Sequence, residues 1–363
     1  MSIKKLQLII ALLLLPFLGG VGYAQDVHFS QLSMAPMQIN PANTGFFDGY
    51  ARGIINYRTQ WSAANATFQT IAASFDANAG IKRARGAFIG LGGYIYQDKA
   101  GVGSWSTLKA DFMANVVLNT TKNSKLALAI GAGVGSSSNN VSKVTWGNQY
   151  NGTAFDQNLP SNEAFANKNF TYFDVCSGVN YEINKKQTEF SHDNLFSLRF
   201  GLAGYHLNQP KVLFSGLSSE VIYARYVGNV SARIDIKESP VSILPSVVYQ
   251  MQDKFKQTNM GMFMRYRFKD ETKTTGLKSE TAILIGCYYR YNDAIIPQFM
   301  LEYKSLNFGF SFDETISNWK RANRGLGAFE LTVRWTNLRS GLFKQRREFG
   351  AAKGNSSPAK QIN

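Results

Sequence analysis

The stretch NMGMFMRYRFK, residues 259–269, decides the fold class because its side chains alternate between two chemistries. Side chains alternate across a β-strand, so every second residue shares a face. One face of this stretch is wholly apolar: Met260, Met262, Met264, Tyr266 and Phe268. The other face carries Asn259, Arg265, Arg267 and Lys269. The stretch FELTVRWT, residues 329–336, repeats the pattern, with an apolar face and a charged face.

Such runs extend over 10–16 residues and are often tipped by Tyr or Trp, whereas strands of soluble sheets average ~5–6 residues. A tilted strand needs ~9–11 residues to cross a bilayer. Backbone groups in lipid must be paired within the protein, so such a sheet must close. The sequence therefore predicts an all-β fold, a transmembrane outer-membrane β-barrel of about 14 antiparallel strands. The predicted strands are 49–61, 67–78, 86–98, 104–120, 124–137, 170–184, 193–208, 221–237, 240–251, 257–269, 279–292, 294–304, 305–315 and 327–336.

Composition and charge narrow the function classes. The 363 residues are only 17% charged, against ~25% in typical soluble domains, and 13% aromatic. This balance excludes a disordered or coiled-coil protein. A formal charge of +15 would permit nucleic acid, an anionic membrane or an acidic partner.

Residues 1–24 have the pattern of a secretory signal peptide. They begin with basic residues, continue with a short apolar run and end with the small residues Gly22 and Ala24. Export argues against nucleic acid as a partner.

Three further regions follow the predicted signal peptide. Residues 25–48 lack alternation and are rich in Phe, Met, Pro and Asn, which predicts an irregular, plug-like segment that folds back into or across the periplasmic mouth. Residues 49–337 form the predicted barrel. The tail 338–363 is basic and is expected in the periplasm. With the N-terminal side in the periplasm, 138–169, 209–220 and 316–326 become the extracellular loops.

A search for catalytic chemistry finds none. The chain has three His, and no Ser/His/acid motif surrounds His206. Two Cys and three dispersed His offer no metal-ligand spacing. The glycine strings at 90–93 and 131–135 match no phosphate-loop pattern. The sequence thus predicts no enzyme, no catalytic or metal site and no cofactor. Inward-facing charges of both signs favour a filled lumen over a selective pore.

Several blocks resemble the PorP/SprF family. The opening block runs from Gln25 to Gln31 and continues from Met37 to Gly45. Tyr57–Trp61, Ser74–Asp76, Asp98–Gly101, Tyr205–Pro210 and Phe312–Ser317 are similar to later family blocks. The resemblance implies an outer-membrane protein of the type IX secretion and gliding machinery. It implies as partners a secreted client, adhesin-like and with a C-terminal type IX sorting domain, and other translocon or periplasmic-ring components. Membrane lipid is a further expected partner of the barrel.

Two groups of residues are candidates for binding that client. Aromatic residues anchor many protein interfaces, so we single out Trp146, Tyr150 and Phe155 in the longest loop. The alternative is that these rings belong to the aromatic belt or pack on the loop itself. His206, Gln209 and Pro210 complete the predicted set. The competing function is a passive or substrate-specific pore, which needs an open lumen.

Overall fold

The computed structural model describes residues 26–61, 67–79, 86–101, 105–138, 146–156, 158–160, 169–186, 195–212, 220–269, 281–318 and 320–337. The predicted signal peptide, 1–24, and the predicted basic tail, 338–363, lie outside these residues. Among the described residues, no helix is both long and apolar enough to cross a bilayer.

Fourteen antiparallel strands form one closed barrel, which confirms the predicted fold class. The strands of the chain are β1 (Ala51–Gln60), β2 (Phe68–Ala79), β3 (Ala87–Ala100), β4 (Trp105–Thr121), β5 (Ser124–Ser138), β6 (Asn169–Lys186), β7 (Leu195–Tyr205), β8 (Lys211–Val212), β9 (Glu220–Val221), β10 (Arg225–Asp235), β11 (Val241–Gln252), β12 (Phe255–Lys269), β13 (Thr281–Arg290), β14 (Ala294–Tyr303), β15 (Leu306–Thr315) and β16 (Leu326–Asn337). Of the strands in the described residues, β8 and β9 lie outside the barrel, in a hairpin of their own. Closure is made by β1 and β16, paired from Ala51 with Asn337 to Gln60 with Ala328.

The strand boundaries lie within four residues of those predicted, and the largest difference is at β10, which begins at Arg225 instead of residue 221. β10 pairs with β7, so it begins opposite the residue at which β7 ends, Tyr205. β7 ends there because His206 and Gln209 adopt left-handed backbone conformations that turn the chain away from the sheet. In β11, Pro245 has no N–H to donate, and the ladder to β10 is interrupted opposite Leu244 and Pro245.

Alternation puts the apolar faces outside. Met262, Met264 and Phe268 are exposed on the outer surface of β12, whereas Phe263 and Arg265 are buried inside. Cys287 lies on the outer face and Cys176 is buried in the interior, so the two thiols are on opposite sides of the wall. An apolar exterior around a polar interior is the arrangement of a membrane barrel.

We name the two ends of the barrel by the chain. The terminal end is where β1 begins and β16 finishes. The loop end is the opposite one and holds the connection between β5 and β6, the β8–β9 hairpin and α2 (Lys320–Asn323). The two longest connections between strands of the barrel, from β5 to β6 and from β7 to β10, therefore lie at the loop end.

Residues 26–50, which we call the plug, occupy the barrel interior. They contain α1 (Pro36–Ile39) and two 3-10 turns, Leu32–Met34 and Pro41–Asn43. The plug enters at the loop end, where the Asp26 N–H donates to Gln252 Oε1 (3.2 Å), and leaves at the terminal end, where the Tyr50 N–H donates to the Asn337 carbonyl (2.8 Å). The segment expected at the periplasmic mouth thus extends through the whole lumen. Its apolar side chains form one core with the wall: Phe29, Leu32, Met34 and Met37 pack with wall residues such as Tyr94, Met113, Phe263 and Tyr288.

The fit of plug to wall predicts that two glycines of β3 differ in whether they can be replaced by alanine without loss of stability. A Cβ on Gly90 would collide with the Thr44 carbonyl and the Gly45 Cα of the plug, whereas a Cβ on Gly93 meets only the Asp111 carbonyl at 3.7 Å. Gly90→Ala should lower the free energy of unfolding by ~1–3 kcal/mol, because overpacking displaces backbone, and Gly93→Ala should leave it nearly unchanged. Unfolding is measured as the loss of the compact, heat-sensitive gel mobility of the barrel in detergent. Equal stabilities of the two variants would contradict this fit.

Candidate functional site

The plug has little regular secondary structure, so the wall must satisfy the backbone polar groups that the plug's own turns leave unpaired. Asn115 of β4 does this directly: its side-chain amide donates to the Ala42 carbonyl (2.9 Å) and to the Thr44 carbonyl (2.8 Å). Tyr205 donates from its hydroxyl to the Met37 carbonyl (2.6 Å). Asp76 accepts from the Gly45 N–H (2.8 Å) and also pairs with Arg52. The middle and terminal-end parts of the plug are therefore fixed by buried side chains of the wall.

Asn40 is the polar centre of the plug. Its side-chain amide nitrogen lies within 3.3 Å of four wall acceptors, and its Oδ1 accepts from the Ala42 N–H (2.9 Å). The acceptors are the Val179 and Leu202 carbonyls, Asn180 Oδ1 and Asn229 Oδ1. Because Asn40 is fully buried, its loss would leave several strands with unsatisfied groups inside the barrel.

An ion-pair cluster holds the plug nearer the loop end, at Ser30. Its N–H donates to Glu330 Oε1 (2.6 Å) and its hydroxyl donates to Asp313 Oδ2 (2.8 Å). Arg58 and Arg290 both reach that hydroxyl and also pair with the Asp313 carboxylate. Buried charges are tolerated only when paired and hydrogen-bonded, and here two guanidinium groups face two carboxylates. The mixed charges predicted for the lumen thus anchor the plug.

A second cluster lies at the loop end around His206. The Nε2 of this ring is 3.0 Å from Asp26 Oδ2 of the plug, and the Nδ1 is 2.9 Å from Asp174 Oδ1 of β6. Arg225 Nε approaches Asp26 Oδ2 at 3.4 Å, and Lys109 Nζ approaches Asp174 Oδ2 at 2.5 Å. His206 therefore bridges the first residue of the plug to the wall.

The pKa values of His206 and Asp26 are shifted in the directions that this geometry requires. Burial lowers the pKa of His206, but the carboxylates of Asp26 and Asp174 outweigh burial and hold the pKa above its ordinary value. Burial raises the pKa of the Asp26 carboxyl, whereas Arg225 and His206 lower it by more, and the pKa ends well below the usual range. The two carboxylates thus favour the cationic form of the imidazole that lies between them.

The six predicted binding residues do not form one surface. Tyr150 and Phe155 are exposed by 58% and 46%, and an isolated β-bridge pairs them. Trp146 is half-buried and precedes the 3-10 turn Gly147–Gln149. Gln209 is exposed, while Pro210 is buried.

The structure places His206 in the interior of the barrel. This residue is 1% exposed and faces the plug, so its ring is covered by Asp26 and is not part of the exposed surface. The sequence missed its partner Asp26, which lies 180 residues away in a segment without a repeating pattern. The described residues contain no group of His, Cys, Asp and Glu side chains arranged to hold a metal ion.

A family model described as type IX secretion system membrane protein PorP/SprF matches residues 21–335. The chain belongs to the PorP/SprF family. The match spans the plug and nearly the whole barrel, which confirms the resemblance read from the sequence blocks. No curated protein matches the sequence.

Solved barrels of remote sequence are similar to this PorP/SprF protein. The deltaS2 mutant of the TodX monoaromatic hydrocarbon channel is 8% identical, with a TM-score of 0.47, over 84% of this chain and 94% of that one. The Ralstonia pickettii toluene transporter TbuX is 10% identical, with a TM-score of 0.43, over 87% and 94%. A Pseudomonas aeruginosa FadL homologue is 11% identical, with a TM-score of 0.40, over 83% and 93%.

The His206 bridge predicts a pH dependence of stability. A pKa raised by folding stabilises the folded state below the unfolded value near 6.5, and this contribution is lost as the pH rises through the folded pKa. The lowered pKa of Asp26 acts in the opposite direction: its contribution is present above the unfolded value of 3.8 and is lost as the pH falls through the folded pKa. The unfolding temperature of the barrel should therefore decline as the pH rises from about 6.5 through the folded pKa of His206.

His206→Gln is the matched variant because an amide retains hydrogen bonding without titrating. Its unfolding temperature should be lower near pH 6, and it should change less with pH than that of the wild type. Both proteins are measured in the same detergent and salt. Parallel pH profiles for the two proteins would show that the bridge does not carry the effect.

Proposed function

We propose that this protein is a non-enzymatic outer-membrane component of the type IX secretion system that binds a secreted surface protein. The client, an adhesin-like protein with a C-terminal type IX sorting domain, is helped through export or held at the cell surface. Other translocon components or the periplasmic ring are further proposed partners. In this proposal the loop end faces outward and the terminal end faces the periplasm.

The observation that carries the proposal is the filled lumen. The plug passes from one end of the barrel to the other, and buried hydrogen bonds and ion pairs fix it at Ser30, Asn40 and Gly45. A barrel whose interior is used for its own core has its outer surfaces left for function. Membership in a secretion-system family supports a role in protein traffic for those surfaces.

The loop end offers the strongest candidate surface. Tyr150 and Phe155 are carried on one short bridge, and the turn beside them is held by the Gln149 side chain, which donates to the Leu159 carbonyl (3.0 Å). Because the backbone that carries the two rings is held in this way, it loses little conformational entropy on binding. Aromatic side chains in such positions are typical anchors of protein interfaces.

Removing the anchors tests the role of this surface. Tyr150→Ala and Phe155→Ala should each weaken client binding by about 1–4 kcal/mol if the ring is an anchor. The client is first identified by affinity purification of the tagged barrel from membranes, and binding is then measured with the purified pair. Phe268→Ala is the control, because this ring is 59% exposed at the opposite end of the barrel. Unchanged binding by both loop variants would exclude this surface.

Deletion of the protein distinguishes the proposed function from a pore. The client should disappear from the cell surface or be released into the medium, while uptake of small solutes stays nearly the same. The purified wild-type barrel should show no stable conductance in a planar bilayer, because the plug fills its lumen. Steady channels together with normal surface display of every secreted protein would favour the pore and defeat the proposal.

A further inference from the structure

Two recesses meet at a single ion pair near the loop end. The outer groove opens at that end. The inner cavity lies deeper in the lumen. Asp26 and Arg225 line both. The outer groove adds Gln250, Met251, Gln252, Phe255 and Gln257, and the inner cavity adds residues that include Tyr94, Tyr96, Lys109 and Asp111. The Asp26–Arg225 pair therefore stands between the outer groove and the inner cavity.

The side chains of His206 and Arg225 both face the carboxylate of Asp26. Asp26 Oδ2 lies 3.0 Å from His206 Nε2 and 3.4 Å from Arg225 Nε. Behind it, Lys109 pairs with Asp174 at 2.5 Å and with Asp111 at 3.3 Å. Without the Asp26 carboxylate, Arg225 would keep no carboxylate within ion-pair distance among the described residues, and the His206 ring would keep Asp174 alone. The Arg225 guanidinium is thus paired only when a carboxylate occupies the position of Asp26.

The outer groove also contains an unused hydrogen-bond donor. Gln257 is 6% exposed, and its Nε2 has no hydrogen-bond partner. Its Oε1 accepts from Gln250 Nε2 (2.7 Å), which fixes the orientation of the amide. Arg225 Nε likewise has no partner with hydrogen-bond geometry, although Asp26 is near. Buried donors are rarely left unpaired, so these two groups indicate a place for an acceptor.

We propose that Asp26 occupies a carboxylate-binding site that an acidic side chain of a docked protein takes over. The incoming Asp or Glu pairs with Arg225 and His206 and accepts from Gln257 Nε2, while Met251 and Phe255 cover its aliphatic stem. Displacement of Asp26 joins the outer groove to the inner cavity. This inference rests on the proposed function, since it names the chemistry by which a client at the loop end is recognised.

Chemical rescue by acetate tests the site without a client. The full barrel is purified in detergent as Asp26→Gly, which empties the site, and as Asp26→Asn, which fills it with a neutral isostere. Sodium acetate should raise the unfolding temperature of Asp26→Gly in a saturable way, and sodium chloride at equal ionic strength should not. Asp26→Asn should not respond to acetate. If Asp26→Gly does not fold, Asp26→Ser takes its place.

Two results of this experiment would overturn the inference. The first is an emptied variant that responds to acetate no more than Asp26→Asn does. The second is an equal response to acetate and chloride, which would show a general salt effect. A further control is Asp235→Gly, which removes a carboxylate paired with Arg233 at the terminal end and should gain nothing from acetate.

A labelled peptide tests the competition with Asp26. A fluorescein-labelled tetraglutamate peptide should bind Asp26→Gly about tenfold more tightly than the wild type, because the resident carboxylate no longer competes. Gln257→Leu in the Asp26→Gly background should weaken that binding severalfold, and a tetralysine peptide should not bind. Equal affinity of wild type and Asp26→Gly would overturn the inference. The proposed function fails separately, if deletion of the barrel leaves the client on the cell surface.

Discussion

The whole structure depends on one constraint: an irregular segment lies inside a barrel, and its backbone polar groups must find partners there. Turns within the plug supply some of them, and side chains of the wall supply others. Asn115, Tyr205 and Asp76 are bonded to the plug, and Asn40 of the plug is bonded to three strands of the wall. These contacts turn what is a solvent channel in an open barrel into a folded interior.

The sequence predicts the barrel well because the signal is local. Alternation such as that of residues 259–269 is imposed by lipid on one face and by polar partners on the other, and each strand shows it independently of its neighbours. The path of the plug has no such signal. Phe29 and Met37 indicate burial, but the bonds that fix their depth join residues more than 100 positions apart, as with Asn40 and Asn180. The sequence therefore predicts a segment that folds into or across one mouth, whereas the structure carries this segment through the lumen to the other end.

The predicted site residues differ in the same way, because local sequence places some of them and long-range contacts place others. Tyr150 and Phe155 were predicted from their residue type in a long loop, and the structure leaves both rings exposed. His206 was predicted from its position at the outer end of a strand, and the structure buries it because its two ring nitrogens lie between Asp26 and Asp174. Residue type and position cannot distinguish a histidine that meets a partner from one that holds the plug. The left-handed turn at His206, which aims the ring inward, is a property of the folded chain.

Plug and wall are shaped for each other, and this bears on what the barrel can do. Gly90 and Gly178 face the plug where a methyl group would strike the Thr44 carbonyl or the Asn40 side chain. A segment that only blocked a channel would not need glycines in the wall beneath it. Opening the lumen would expose a mixed apolar core and strip the partners from Ser30 and Asn40 at once, so conduction would cost much of the stability of the fold. The same contacts carry the chain from the loop end to the terminal end as one packed unit. A protein bound at Asp26 would therefore touch the segment that also closes the far mouth of the barrel.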